Sequence, residues 1–506
     1  MSALLKTPPP LWIALHLPNL ALDVYHPPWL AKKAVVVMEQ NRVHTVSSLA
    51  AQAGVTLGMR LSSVQMLLSE AIIHQRDPIK ESAALQSAAM ACLRFTPQVC
   101  LLEPACIALN VGASLRLFGG IRRLRRLVQT TLEQLGLGAQ LAIATSAHGA
   151  CLLARARPQR ASAHQCRFAL DNQRLSERLG HLPISLLPAA QKWLAWFTGI
   201  GCSSLADLRQ LPRPGLQRRC GKDLLHQLDL AFGDAHEVYQ WLEMPKQFHA
   251  RLELPDRFEH AELIFHFARV LIVQLCGWLS QQQLAVNCLE FAFEHERGRQ
   301  ARVPTLLRIP LAQAHWREEH LSKLLKEHLA QIQFDAPAIA IRLEALQVTA
   351  MHAPNADLFP EPGGNQEEQS KLMELLVARL GAENVLYPAP QADHRPEVAN
   401  QWVSILEKTK TTSPSPRPSS CRPAWLLPQP QLLEVRRHRP HYQSVLKLMS
   451  PAERIEAGWW NGQLVTRDYF IAENAQHVRC WIYRERIGHA QQAEDDEVWY
   501  LHGIFG

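Results

Sequence analysis

Short apolar runs alternate with amphipathic stretches through the first third of the chain. Residues 11–17 (LWIALHL) are almost continuously apolar and are entered through Pro8 to Pro10, which predicts a buried strand. Residues 33–38 (KAVVVM) predict a second strand. Helical spacing follows over 50–54 and 62–71, on either side of the turn at Gly58 and Met59. Ile79, Ala83, Leu85, Ala89 and Leu93 gather near one face of a helix over 79–95. Strands are then expected at 99–102, 107–111 and 139–144. A basic helix over 121–135 and a helix over 149–157 complete the segment. Strands interleaved with helices define an α/β or α+β domain.

From 183 to about 241 the signal is helical, punctuated by FTGIG (197–201) and LPRPG (211–215). Between 250 and 350, strand-like runs at 284–293 and 338–343 alternate with helices at 261–279 and 316–331, a second α+β unit. A Pro/Gly patch occupies 354–364, and TKTTSPSPRPSSCRP (409–423) has the composition of a linker. Beyond it, DYFIAE (468–473), VRCWIYRE (478–485) and VWYLHGIF (498–505) alternate as strands of a small aromatic-rich unit.

At 506 residues the chain is too long for one core. Its 47% hydrophobic and 20% charged content is that of a folded protein, and a net charge of +7 permits a polyanionic partner without identifying one. The 11 cysteines show no C-x₂₋₄-C pair, which argues against a disulfide framework or zinc ribbon and for reduced thiols in the cytoplasm. The N-terminal apolar run is broken by His16 and Pro18, and no segment offers eighteen uninterrupted apolar residues. A soluble, cytoplasmic protein without membrane contact is the expectation.

Two segments carry the chemistry. Residues 11–25 (LWIALHLPNLALDVY) and 99–120 (VCLLEPACIALNVGASLRLFGG) resemble the active-site strands of Y-family, DinB-like DNA polymerases. Aligned on the apolar frame, the family's first Asp falls on His16 and its Asp-Glu pair on Ala105 and Cys106. The fingers motif Y-x-x-R falls on Ser48 and Ala51, and a palm-helix Lys falls on Cys151. Nucleotidyl transfer needs two Mg²⁺ ions about 3.5–4 Å apart, held by hard oxygen ligands. Imidazole, methyl and thiol groups supply none, so neither metal nor cofactor is expected and no catalytic residue is assigned. One alternative stays open. Glu103, two residues before Ala105 and so on the same face of a continuous strand, with Asn19 or Asn110, would hold a displaced metal in a working polymerase. A third reading is a DNA-binding protein unconnected to replication.

RLFGG (116–120), AGVTLGM (53–59) and RIEAGWWNGQLVTRDYF (454–470) extend the resemblance to the ImuB family, the Y-family homologues of bacterial mutagenesis cassettes. That resemblance implies an α+β right-hand architecture: palm over 11–182 with fingers inserted at about 21–77, thumb over 183–245, little finger over 246–350. A clamp-binding peptide with its extension (351–408), a linker (409–424) and a C-terminal interaction module (425–506) follow. It also implies an inactive adaptor of SOS-induced, error-prone translesion synthesis. The partners implied are the sliding clamp, an ImuA-like RecA-related protein and an error-prone DnaE-type polymerase.

Residues 196–201, followed by Leu205 and Leu208, fit a helix–hairpin–helix. Gly199, Ile200 and Gly201 would lie close to phosphate, with Arg218, Arg219 and Lys222 adding salt-sensitive, sequence-independent attraction to DNA. Arg122, Arg123, Arg125 and Arg126 read instead as a solvated helix face. Asn355, Asp357, Leu358 and Phe359 resemble the clamp-binding pentapeptide Q-x-x-L-F, with two apolar anchors on an extended segment. Trp459, Trp460, Trp481 and Trp499 are the candidate partner-binding aromatics.

Overall fold

A computed structural model of the chain describes residues 9–30, 32–103, 105–156, 167–236, 238–296, 302–351, 366–405, 422–486 and 498–505. It divides into two compact units, residues 1–379 and 380–506. The division falls inside the 351–408 segment that the sequence reading kept whole.

In the first unit, β1 (Trp12–His16) is followed by α1 (Leu20–Asp23) and a small three-stranded subdomain. This comprises β2 (Val35–Glu39), β3 (Arg42–Val46), α2 (Ser48–Gln52), α3 (Leu61–Leu67) and β4 (Ile72–Gln75). The chain then returns through α4 (Pro78–Cys92), β5 (Val99–Leu102), β6 (Cys106–Asn110), α5 (Ile121–Gln134), β7 (Gln140–Ala144) and α6 (Ala147–Arg155). The sheet order β5-β6-β1-β7, antiparallel throughout, is a split βαβ arrangement. Period-2 alternation divides its side chains between two cores. Ile13, Leu15, Val99, Ile107, Leu109 and Ile143 face α4 and α5. Trp12, Ala14, Cys100, Cys106, Ala108 and Ala142 face α6 and the helices beyond it.

Those helices are α7 (Asn172–Gly180), at the end of the stretch expected as palm, and α8 (Leu194–Gly199), α9 (Leu205–Gln210), α10 (Arg213–Cys220) and α11 (Lys222–Phe232), within the region expected as the thumb. Gly149 on α6 lets this layer close: a Cβ there would collide with the Ala231 carbonyl oxygen at 2.5 Å.

A second sheet, order β10-β9-β11-β8, comes from β8 (His249–Phe258), β9 (Leu284–Glu294), β10 (Thr305–His315) and β11 (Ala338–Ala350). It is backed by α12 (Ala261–Gln282) and α13 (Glu318–Gln331), with α14 (Gln366–Leu380) alongside. Glu374 fixes α14 in place, accepting from the Ala312 and Gln313 amides at 2.6 and 3.2 Å and meeting His320 Nε2 at 2.5 Å. Among the described residues α12 is the one helix long and apolar enough to cross a membrane. Its apolar sides are occupied: Leu271, Leu275 and Trp278 belong to the core of the second sheet, and Val270 and Val273 to the core behind the first.

This second contact depends on Gly277. A Cβ at that position would overlap the Met90 carbonyl oxygen and lie 3.0 Å from the Ala91 Cα, both backbone atoms of α4. Gly277→Ala is expected to cost about 1–3 kcal/mol through overpacking. The measurement is the urea midpoint of the first unit, together with faster amide exchange in α4 and α12. An unchanged midpoint would show that the helices separate freely.

The second unit opens with β12 (Leu386–Pro390), α15 (Pro396–Ala399) and β13 (Asn400–Ser404). Its main sheet follows, formed by β14 (Trp425–Arg436), β15 (Arg439–Tyr442), β16 (Ser444–Val445), β17 (Lys447–Leu448), β18 (Glu453–Ala457), β19 (Val465–Glu473), β20 (Arg479–Glu485) and β21 (Trp499–Ile504). β20 is covered on both faces, with Cys480 and Ile482 in one core and Trp481 and Tyr483 in the other. The expected linker lies outside the described residues over 409–421.

Candidate functional site

The antiparallel register of β1 and β6 sets His16 directly opposite Cys106, at the end of the sheet where the resemblance placed a polymerase's carboxylates. His16 Nδ1 and Cys106 Sγ are 3.7 Å apart. Cys151, in the middle of α6, belongs to the same buried core as Cys106, near enough for the two thiols to influence each other. Three positions far apart in sequence therefore meet at one point. Cys106 and Cys151 are buried and His16 is half-buried.

The electrostatics follow from these contacts. The Cys106 thiol is pushed down to about 6, chiefly by its hydrogen bond from Cys151 and then by His16, against the opposing effect of burial. Cys151 moves well above the ordinary thiol range because it shares its proton with Cys106 and is fully enclosed. Arg155, one turn further along α6, adds positive potential to both thiols while donating to the Leu186 carbonyl at 3.0 Å.

Ala105 lies beside this cluster in a left-handed conformation (φ 46°), and its carbonyl accepts the Leu17 amide at 3.1 Å. This corrects the geometry assumed for Glu103. β5 ends at Leu102, and Glu103 is an exposed turn residue, so the same-face spacing of a continuous strand does not apply. Asn110 stands at the other end of β6, roughly 13 Å from Cys106 at strand spacing. Its amide is engaged with Gln98 Oε1 at 2.7 Å. Among the described residues, no group of three or more His, Cys, Asp or Glu side chains could hold a metal ion. Ser48 and Ala51 occupy exposed positions on α2, which is capped by Ser47.

The predicted hairpin is present as α8, a turn at Gly201 (φ 74°) and α9. Its amides are used internally. Ile200, Gly201 and Cys202 donate to carbonyls of α8, and Ser203 and Ser204 donate to the Asp207 carboxylate at 3.1 and 2.9 Å. The nearby cations remain outward. Arg218, Arg219 and Lys222 are exposed and have no ion pair among the described residues, whereas Arg213 is held by Asp229 at 2.6 Å. Arg219 lies over the Trp196 ring at 4.6 Å. Arg122, Arg123 and Arg126 are exposed on α5, as a solvated face requires.

The aromatic candidates separate. Trp481 (1% exposed) and Trp499 (4%) are core residues, a correction to their expected partner-binding role. Trp459 (69%) and Trp460 (56%) are exposed on a single 3₁₀ turn between two left-handed glycines, Gly458 and Gly462. Trp402 and Trp425, which sequence reasoning did not single out, are exposed as well. Asn355, Asp357, Leu358 and Phe359 lie outside the described residues.

Residues 21–155 match the model of the impB/mucB/samB family. The matched segment runs from α1 through the end of α6. Over 474 residues, 90% of this chain and 100% of the relative, the sequence is 25% identical to Protein ImuB of Caulobacter vibrioides, in strain NA1000 / CB15N and equally in strain ATCC 19089 / CIP 103742 / CB 15. Among solved structures it is similar to a Dbh ternary complex (15% identity, TM-score 0.37, 66% of this chain and 98% of that one). A Y-family polymerase chimera of Dbh and Dpo4 is also similar (15%, TM-score 0.35, 67% and 99%).

Proposed function

We propose that the chain is a non-catalytic scaffold of SOS-induced, error-prone translesion synthesis in the cytoplasm. It would link the sliding clamp, an ImuA-like RecA-related protein and an error-prone DnaE-type polymerase. The observation that carries this reading is the contact of His16 with Cys106 at the end of the palm sheet, with Cys151 in the core beside Cys106. In the family alignment these are the positions of a carboxylate, a carboxylate and a lysine. A thiol–imidazole cluster neither holds a pair of hard divalent ions nor clamps a triphosphate.

DNA is held through the exposed Arg218, Arg219 and Lys222 of the thumb, a contact with phosphate that is salt-dependent and indifferent to sequence. The hairpin amides, satisfied internally, contribute shape more than hydrogen bonds. Recruitment to the clamp runs through residues 355–359. Trp459 and Trp460, exposed and fixed on a short turn, suit the docking of a protein partner.

The Leu358→Ala/Phe359→Ala double variant is expected to weaken clamp binding by about tenfold or more, the loss that follows from removing two anchors. Surface plasmon resonance with immobilised clamp measures it. Equal affinity of wild type and double variant would remove the peptide from the account.

A further inference from the structure

The tip of the β14–β15 hairpin, in the second unit, carries charge that the fold does not use. Its register sets Arg436 opposite Arg439 and leaves Arg437 and His438 as a two-residue turn. Residues 436–441 (RRHRPH) hold three arginines and two histidines and no acid. Arg436, Arg437, His438 and Arg439 are all exposed. The nearest acid on the hairpin, Glu434, holds Arg436 at 2.9 Å in a pair that is itself exposed. Arg437 and Arg439 have no ion pair among the described residues. We propose that this tip is a second DNA contact, gripping the phosphate backbone of a duplex through Arg437 and Arg439. It rests on the reading that the chain works on DNA, and adds to the thumb cations a site in the other unit.

Two features of the tip work against stability alone. Arg437 and His438 are both left-handed, with φ of 50° and 59°. A two-residue hairpin turn of this hand favours Asn and Gly, and longer side chains there are strained. Arg436 and Arg439 also face each other across the ladder, where like charges repel. A turn shaped by folding alone would carry Asn-Gly at its tip and opposite charges across it. A polyanion offsets the repulsion, because phosphates neutralise both arginines and release their own counterions. Strain retained beside unpaired charge is the pattern of a binding turn.

The shape selects duplex over single-stranded DNA. Single-strand sites stack bases on exposed aromatic rings. Between residues 434 and 442 there is one Trp, Tyr or Phe, and that residue, Tyr442, packs against the core of its own sheet. A two-stranded ribbon is also narrow enough for the major groove of B-DNA, about 12 Å wide. Contacts made by arginine to phosphate fix position and carry no sequence preference.

The test is amide hydrogen exchange of the full chain with and without a duplex oligonucleotide of mixed sequence. Exchange should slow in peptides spanning 434–442 as well as in thumb peptides spanning 213–222. In filter binding, Arg437→Gln/Arg439→Gln should weaken the duplex by about tenfold and lower the slope of log affinity against log salt by about 2. Thumb protection with an unprotected hairpin would overturn this proposal and leave the thumb contact standing. Protection nowhere in the chain would overturn both. Hairpin protection by a single strand but not by the duplex, or an unchanged salt slope in the double variant, would also overturn it. The exchange arm uses only the wild type, so a variant that fails to fold does not decide the matter.

Discussion

Trp481→Ala is expected to unfold much of the second unit, at a cost of about 3–5 kcal/mol. Trp481 is 1% exposed and lies near-parallel to Tyr469, their ring centroids 4.1 Å apart. His502 stacks at 5.8 Å, and the Arg422 guanidinium covers the ring at 5.7 Å. Truncation leaves a large cavity in a small core whose other members include Ile455, Ala457 and Tyr483. Alanine at Trp459 should change stability by less than about 0.5 kcal/mol, as for most exposed sites. Trp460→Ala should lose about 0.5–1 kcal/mol, because Arg395 lies over its ring at 5.7 Å. Amide exchange across β19, β20 and β21 measures all three. Protection lost equally in the three variants would place Trp459 and Trp460 in the core with Trp481.

The second large effect concerns Asp23, a buried carboxyl at the edge of a cavity of 420 Å³ also lined by Trp29, Lys80, Leu137, Arg251 and Phe267. Burial pushes it up to about 6 from 3.8, although its Oδ2 accepts the Gly138 amide at 2.9 Å, which works in the opposite direction. The folded protein therefore holds the proton more tightly than the unfolded chain. Stability associated with this group is fully present below about pH 4 and is lost as pH rises through about 6. At neutral pH the charged form carries a penalty on the order of 3 kcal/mol, two pKa units' worth. Asp23→Asn keeps an acceptor for Gly138 and removes the charge. It should raise the unfolding midpoint of the first unit at pH 7.5 and flatten the decline between pH 4 and 6. A variant less stable than wild type at pH 7.5 would show that the carboxylate has a favourable partner.

Much of the first unit was legible because its strands are uninterrupted apolar runs. Residues 11–17, 99–102 and 139–144 lie in β1, β5 and β7 with boundaries shifted by a residue or two. The elements that escaped the reading have physical reasons. β8 and β10 are the two edge strands of the second sheet, and each contains a proline, Pro255 and Pro310, that a central strand would not tolerate. β14 carries Pro428 and Pro430 and is exposed at many positions, so it lacks clear alternation. β3 and β4 are short strands of a small subdomain, and their polar residues mask the apolar ones.

The site was legible only in part. The frames of β1 and β6 put His16 and Cys106 at equivalent ends, and their register follows from that alignment. The meeting with Cys151 depends on how α6 crosses the sheet, which no local pattern in either segment encodes. Glu103 and Ala105 were misjudged because a strand was assumed to continue where the chain turns at Ala105. Trp481 and Trp499 were misassigned because β20 and β21 belong to a sheet with apolar cores on both faces, where aromatic density marks packing rather than docking.

The central claim is tested most directly by primer extension with the purified chain, a primed template and all four nucleoside triphosphates, in Mg²⁺ and then in Mn²⁺. The account predicts no extension in either metal at any protein concentration, with DNA still bound and the binding weakened by salt. Metal-dependent extension that survives removal of contaminating polymerases would contradict it, and would require metal ligands other than His16, Ala105 and Cys106.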